Sequence, residues 1–537
     1  MIDTKRNIAL RVSGAASVAA LFAALGSTPA QAVETKFYGD VSVAMSLNMK
    51  DVIETKDDDK YKISMLRATS HLNMDANLTE GLSFVGKVRL VRDFPNSYLT
   101  DLERLGGDSA GHSNLARLYT GTPNYLREAY FDWKLNDRLQ FRIGKQQVAW
   151  GETDFFQAMD MVHGYDFTWR SILEPANEEL RKPLFLINTT VMVPELDGKA
   201  QLLLRPGKAN RKDAVGNTID LFGGRWAGQP YKGVDFRVPL VTPYNYSNPE
   251  GDAEDTTWGV RWSGSLMEIN YSLSYLKTYN PFPVVNPAAN MDFLTLIGVP
   301  VPAGTPSGSE QFKGRTPIGV SGELIYPKID LFGLTASGYS STADAVFSGE
   351  LAYIRDYAYN FGYISGLSGV FGPGFDGIRQ KNVVKSMVRM DKNLAFTQSV
   401  LGTEKPAFFS VQLFDTWIRG FKSSENLVQA VGFGQASKKH SSLLTTILGL
   451  SYANGTVVPE LVAGWYMTYG GGFAVPSVSL QFGKDWRFKV EYDHFWNTGS
   501  RPATPPGANA ANTERDTSFF GYFNNNDQLY MKLTYQF

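Results

Sequence analysis

The sequence predicts an all-β fold: a transmembrane, antiparallel, up-and-down β-barrel of about 18 strands, with 16 as the fallback, short periplasmic turns and long extracellular loops. Three observations lead there. Side chains alternate with period two from the start of the mature chain, connections largely take turns between short and long, and the chain closes on an amphipathic strand ending at Phe537. Composition agrees, because 26 Tyr, 34 Phe, 10 Trp and 51 Gly favour strands over helix bundles. A mean hydropathy of -0.21 is too polar for a helical polytopic membrane protein. Lys+Arg 52 against Asp+Glu 53 leaves no basic face for a nucleic-acid partner. Zero cysteine excludes disulfide frameworks, thiolate zinc sites and Cys nucleophiles.

Residues 1–32 read as a secretory signal. Lys5, Arg6 and Arg11 form a basic start, Ala15 to Leu25 is apolar but too short for an anchor, and Ala30 and Ala32 flank a small-x-small cleavage site. Residues 33–537 are then one domain, since no repeat of fixed period and no low-complexity linker divides them.

The first mature segment sets the pattern. Phe37, Gly39, Val41, Val43, Met45, Leu47 and Met49 alternate with Asp40, Ser42, Ser46 and Asn48, which is an amphipathic strand long enough to cross an outer membrane. Leu72, Met74 and Ala76 alternate with His71, Asn73 and Asp75. The same texture recurs at 84–90, 128–133, 140–146, 267–275 and 487–496. A soluble sandwich alternates too. The discriminator is that several strands carry two or three charges on one face and almost nothing polar on the other, the requirement of a lipid-facing exterior around a wet interior.

That parity assigns Arg67, His71, Lys87, Arg89, Glu128, Asp132, Arg142, Gln146, Glu268, Arg487, Lys489, Glu491 and Asp493 to the lumen, where they are the candidates for selectivity. Tyr130, Tyr530 and Phe495 share that face. Short turns are expected at Asn77–Gly81, Leu135–Arg138, Pro194–Lys199, Ser263–Ser265, Ala453–Gly455 and Gly483–Trp486. Long connections are expected at about 93–123, 146–183, 206–256, 278–316, 356–383, 419–440 and 498–526. Residues 329–343 fit a strand, an inward-folded segment or a turn. After Gln146 the chain enters a loop bearing Glu152, Asp154, Asp160 and Asp166. Either this loop folds inward and narrows the lumen, its carboxylates pairing with Arg67, Lys87, Arg89 and Arg142, or it is a solvated external loop.

The last strand is the most specific signal. Leu529, Met531, Leu533, Tyr535 and Phe537 form one face, and Gln528, Tyr530, Lys532, Thr534 and Gln536 the other. It resembles the C-terminal signal read by the barrel-assembly machinery of Gram-negative bacteria. Trp133, Trp258, Trp262, Trp417, Trp486 and Trp496 fall at or near strand ends, as an interfacial girdle requires.

Two internal motifs carry a family resemblance. Arg142-Ile143-Gly144-Lys145-Gln146-Gln147-Val148-Ala149-Trp150-Gly151-Glu152 and Ser348-Gly349-Glu350-Leu351-Ala352-Tyr353 resemble stretches of a family of proteobacterial outer-membrane proteins, number 1302 among the domains of unknown function. Leu173-Glu174-Pro175 and Arg181-Lys182-Pro183 also fit. The resemblance implies an outer-membrane barrel in contact with outer-membrane lipid, working beside envelope export systems on hydrophobic substrates.

No catalytic chemistry emerges. His71, His112, His163, His440 and His494 show no zinc-ligand spacing, and no G-x-S-x-G elbow occurs. Asp57-Asp58-Asp59 reads as a solvated charge run, and Gly470-Gly471-Gly472 as a tight hairpin. No enzyme, metal or cofactor is expected. The leading expectation is a porin-like channel for small or hydrophobic molecules. The alternatives are the outer-membrane component of hydrophobic-substrate export with an inner-membrane exporter, or a barrel sheathing an electron-transfer partner.

Overall fold

The computed structural model describes residues 34–51, 58–98, 125–153, 156–166, 174, 177–207, 209, 216–217, 255–282, 284–285, 324–361, 377–429, 435–498, 520, 523 and 526–537. The two cleavage-site alanines, Ala30 and Ala32, and the loop residue Asp154 lie outside them.

Eighteen antiparallel strands close into a barrel. They are β1 (Glu34–Asn48), β2 (Ile63–Thr79), β3 (Leu82–Asp93), β4 (Leu126–Lys134), β5 (Leu139–Gln146) and β6 (Leu184–Val193). Next come β7 (Gly198–Arg205), β8 (Thr257–Leu266), β9 (Ile269–Tyr279), β10 (Lys328–Ser340), β11 (Ala345–Phe361) and β12 (Gly377–Leu394). The last six are β13 (Ala407–Ile418), β14 (His440–Gly449), β15 (Val457–Tyr466), β16 (Gly471–Phe482), β17 (Trp486–Asn497) and β18 (Gln528–Gln536). Each strand pairs with its sequence neighbours, as short connections dictate. The stretch around 329–343 is a full barrel strand, β10.

The first and last strands close the wall. Val41 stands opposite Tyr535 and Val43 opposite Leu533, while Gly39 and Phe537 exchange two backbone hydrogen bonds of 3.0 Å. Leu533, Tyr535 and Phe537 face outward and are exposed. The outer wall is a belt of exposed apolar side chains such as Val43, Leu202, Leu273, Leu351 and Leu413. A closed wall satisfies every ladder hydrogen bond, so such a surface belongs in hydrocarbon. Aromatic rings gather at both rims. Trp133, Trp486 and Phe537 mark the short-turn end, and Trp258, Trp417 and Trp465 the opposite end, all exposed on the outer surface.

Two expectations about connections are corrected. Ser263–Ser265 is not a turn: β8 continues to Leu266, and the turn is the pair Met267–Glu268, at φ 50 and 66. Both central residues are left-handed, the geometry that lets a two-residue hairpin follow the strand twist. Glu268 therefore sits on a turn at the rim and does not line the lumen. The long connection placed at 356–383 is shorter, because β11 runs to Phe361 and β12 starts at Gly377.

Candidate functional site

The lumen of β1–β5 is lined by paired charges. Arg67 holds Asp93 through two bonds of 2.8 and 3.1 Å, Lys87 meets Glu128 at 3.0 Å, and Arg142 meets Asp132 at 2.7 Å. His71 bridges Asp40 at 3.1 Å and Glu179 at 3.2 Å. Arg142 also stacks its guanidinium on Tyr130, 4.7 Å from the ring centroid. On β17 Lys489 pairs with Glu491 at 2.7 Å. Arg487 shares their face, nearer the short-turn end, and Asp493 is buried above them. Opposite signs thus neutralise one another locally, and no single-sign ring forms among these residues.

Gln146 is a wall strut. Fully buried, it donates its Nε2 to the carbonyls of Leu186 at 3.0 Å, Arg142 at 3.1 Å and Gly144 at 3.3 Å. Gly144 makes this possible with φ 138, a region L side chains rarely adopt.

Immediately beyond Gln146 the chain turns inward. The side chain of Trp150 is only 1% exposed and donates its Nε1 to Gln201 of β7 at 2.9 Å. Met159 packs on Gly333 of β10, where a Cβ would collide with it. Glu350 of β11 accepts the backbone N–H of Met159 at 3.1 Å and also that of Glu152. Arg389 of β12 donates to the Glu152 carbonyl at 3.3 Å. Farther across, the Phe156 ring meets Phe414 of β13 at 5.9 Å, Phe473 of β16 at 6.3 Å and Phe520 at 6.2 Å. The loop therefore touches strands around more than half of the wall, and it narrows the lumen.

Two apolar clusters result. Val148, Trp150, Met159 and Met161 join inward-facing Leu186, Leu276, Leu331 and Ile354. Ala158 and Phe156 join Met387, Phe414, Leu443, Val462, Phe473 and Phe495. These strands carry apolar residues on both faces over part of their length, so simple alternation does not reveal the apolar lumen they line.

A buried polar knot locks the loop. Asp160 accepts from Arg181 at 2.7 Å, from the Tyr165 hydroxyl at 2.8 Å and from the Trp150 backbone N–H at 3.3 Å. His163 accepts the Val148 N–H on Nε2 at 2.9 Å, and its Nδ1 donates to the Lys182 carbonyl at 3.0 Å. Burial, then the neighbouring Arg181 charge, push His163 down to about 3, so it stays neutral. Burial works against the Arg181 charge, but Asp160 outweighs it and raises the guanidinium above its ordinary range. Burial and Asp160 push the Tyr165 phenol up.

The expected carboxylate pairing is corrected at Asp160. Arg67, Lys87 and Arg142 pair with wall residues, and Arg89 meets Glu179 at 2.9 Å. Asp160 pairs within its own loop, Glu152 contributes backbone atoms while its side chain is exposed, and Asp166 donates its backbone N–H to Leu180 at 2.8 Å. Sequence reasoning missed Glu179, on the single helical turn Asn177–Leu180. Burial disfavours the Glu179 charge, but His71 and Arg89 outweigh it and hold the carboxyl below the usual range. Arg127, also missed, pins the same turn by donating to the carbonyls of Glu178 at 2.7 Å and Arg181 at 2.6 Å. Its chance of detection lay in being a charge at a strand end, opposite the register shift at Lys87 and Val88.

An apolar belt, aromatic rims, a closed 18-strand wall and an inward loop define a membrane-spanning β-barrel of the outer-membrane type, narrowed from within. Its family follows from the sequence comparison: a family model described as "Protein of unknown function (DUF1302)" matches residues 13–537, and the chain belongs to that family. No curated protein matches it. Similar solved structures include OccAB3 of Acinetobacter baumannii, at 8% identity and TM-score 0.43, covering 94% of this chain and 99% of that one. A BenF-like porin of Pseudomonas fluorescens Pf-5 also has 8% identity and TM-score 0.43, with coverage of 94% and 98%. OmpF of Salmonella typhi, in complex with daunomycin, has 8% identity and TM-score 0.40, with coverage of 94% and 98%.

Proposed function

We propose that this barrel is an outer-membrane channel that passes small hydrophobic or amphipathic molecules through a lumen narrowed by its own loop at 147–183. The carrying observation is the placement of Phe156 among Phe414, Phe473 and Phe520, which gives the constriction an apolar side facing the charge-paired wall of β1–β5. Lumen residues Arg67, His71, Lys87, Arg89, Glu128, Asp132, Arg142, Arg487, Lys489, Glu491 and Asp493 set a weak ion selectivity, because their charges are mixed in sign. The segment ending at Ala32 directs export and is then cleaved, and the barrel-assembly machinery reads the strand from Leu529 to Phe537.

Planar-bilayer recording of refolded protein tests the reading. Stepwise conductance below that of an open barrel of this strand number supports it. No stepwise current, together with no permeation of an apolar solute into proteoliposomes, overturns it. A second reading is favoured by the same apolar cluster: a barrel that accepts hydrophobic cargo from an inner-membrane exporter. Lipid co-purifying with a protein that conducts no ions distinguishes it.

A further inference from the structure

The lumen cations described above mostly have a carboxylate at hand. Lys385 does not. It lies on the inner face of β12 between Val383 and Met387, in register with Ala352 of β11 and Thr416 of β13. Its side chain is 9% exposed. Among the described residues no carboxylate pairs with its Nζ. What faces the ammonium is aromatic: the centroid of Phe282 at 5.0 Å and that of Tyr357 at 5.6 Å.

The chain builds this setting at some cost. A register shift between Ile354 and Tyr357, with Asp356 at φ 61, turns Tyr357 onto the same face as Lys385. Phe282 comes from the connection that follows β9. Ala352 and Ile354 belong to one apolar cluster and Met387 and Phe414 to the other, so Lys385 sits where the two meet. A cation taken out of water without a counter-charge is unfavourable, and ring faces offset only part of that. An anion carried on an apolar body would satisfy both halves of the environment.

We propose that Lys385, flanked by Phe282 and Tyr357, binds the carboxylate head of an amphipathic permeant whose apolar part lies along Met387 and Phe414. This rests on the reading of the lumen as a passage for apolar molecules, and narrows it to those with one negative charge. The ammonium supplies the charge-assisted hydrogen bond, and the rings exclude water around it.

The test is calorimetric titration of octanoate, and of 1-octanol as its uncharged counterpart, into the full-length mature barrel in lipid nanodiscs, with empty nanodiscs subtracted. Lys385→Met is expected to weaken octanoate at least about tenfold and leave octanol within about twofold, while Lys385→Arg stays within about threefold of wild type. Phe282→Ala, outside the barrel strands, is expected to weaken octanoate about threefold, which keeps the test alive should Lys385→Met fail the heat-shift assay for folding. Unchanged octanoate binding in Lys385→Met, equal loss of both ligands, or no octanoate binding to wild type overturns the proposal. If wild type takes octanol and conducts ions but ignores octanoate, only this site falls. If it neither binds nor conducts, the channel reading falls with it.

Discussion

Glu350 accepts the backbone N–H of Met159 at 3.1 Å, across 191 positions of sequence. The same carboxylate accepts the N–H of Glu152. The two motifs that carry the family resemblance, Trp150-Gly151-Glu152 and Ser348-Gly349-Glu350, therefore meet at one interaction. Gly151 is part of it, since a Cβ there would stand 3.1 Å from the Glu350 Oε1.

Glu350→Ala is accordingly expected to free the loop from the wall of β11. Each backbone bond to this carboxylate contributes about 1.5–3 kcal/mol. Single-channel recording should show larger and noisier steps, with the fold retained by heat-shift on gels. Steps identical to wild type would show that the loop is held without this contact.

Acid should loosen the same loop. Buried His163 refuses a proton until about pH 3, whereas in water it would accept one near its ordinary 6.5. The released loop binds more protons at His163 below pH 6.5, so this residue's contribution to the inserted state falls by about 1.4 kcal/mol per pH unit from there down to about pH 3. Glu179 acts in the same direction: its depressed carboxyl stabilises the inserted loop above its ordinary 4.5, and that contribution fades as pH falls further. Conductance should rise between about pH 4.5 and about pH 3, where His163 and Glu179 act together, and His163→Gln should flatten the rise. A profile that is flat in the wild type would remove His163 from the lock.

The charge pairs should tune selectivity. In Glu128→Gln the Lys87 ammonium loses its 3.0 Å partner. Reversal potentials in a salt gradient are expected to move toward anions, with relative anion permeability up about twofold. A shift toward cations would place this pair outside the conducting path.

Gly144→Ala is expected to destabilise the barrel. The glycine sits at φ 138, and a Cβ there would stand 2.6 Å from the Tyr130 Cα. Backbone strain of this kind costs about 1–3 kcal/mol. The midpoint of urea unfolding from liposomes should fall correspondingly.

Sidedness has its own test. Leu351 is 45% exposed on the outer face of β11, with Leu334 of β10 beside it. Leu351→Arg should cost about 2–4 kcal/mol if this face meets hydrocarbon near mid-depth. A near-neutral result would mean that the belt faces water.

What the sequence made legible follows from where the determining forces are local. A period-two pattern reports each strand by itself, so β1, β3, β4, β17 and β18 could be read directly. Trouble arose at Met267-Glu268, where the alternation of β9 extends back across a turn that holds no Gly, Asn or Asp to announce it. Glu268 was misplaced for that reason. The lock was illegible because it is non-local. Arg89 meets Glu179 and Glu350 meets Met159 only after the loop has folded back, and nothing in the neighbourhood of either residue signals its partner. Ile329 and Leu331 point inward while Phe332 and Leu334 point outward, so a strand apolar on both faces gives no sign of which face lines the lumen.

Because the first and last ribbons of the wall are each other's neighbours, neither edge of the sheet is covered until β1 and β18 meet. Without β18, β1 and β17 would be left as raw edges, open to pairing with other chains.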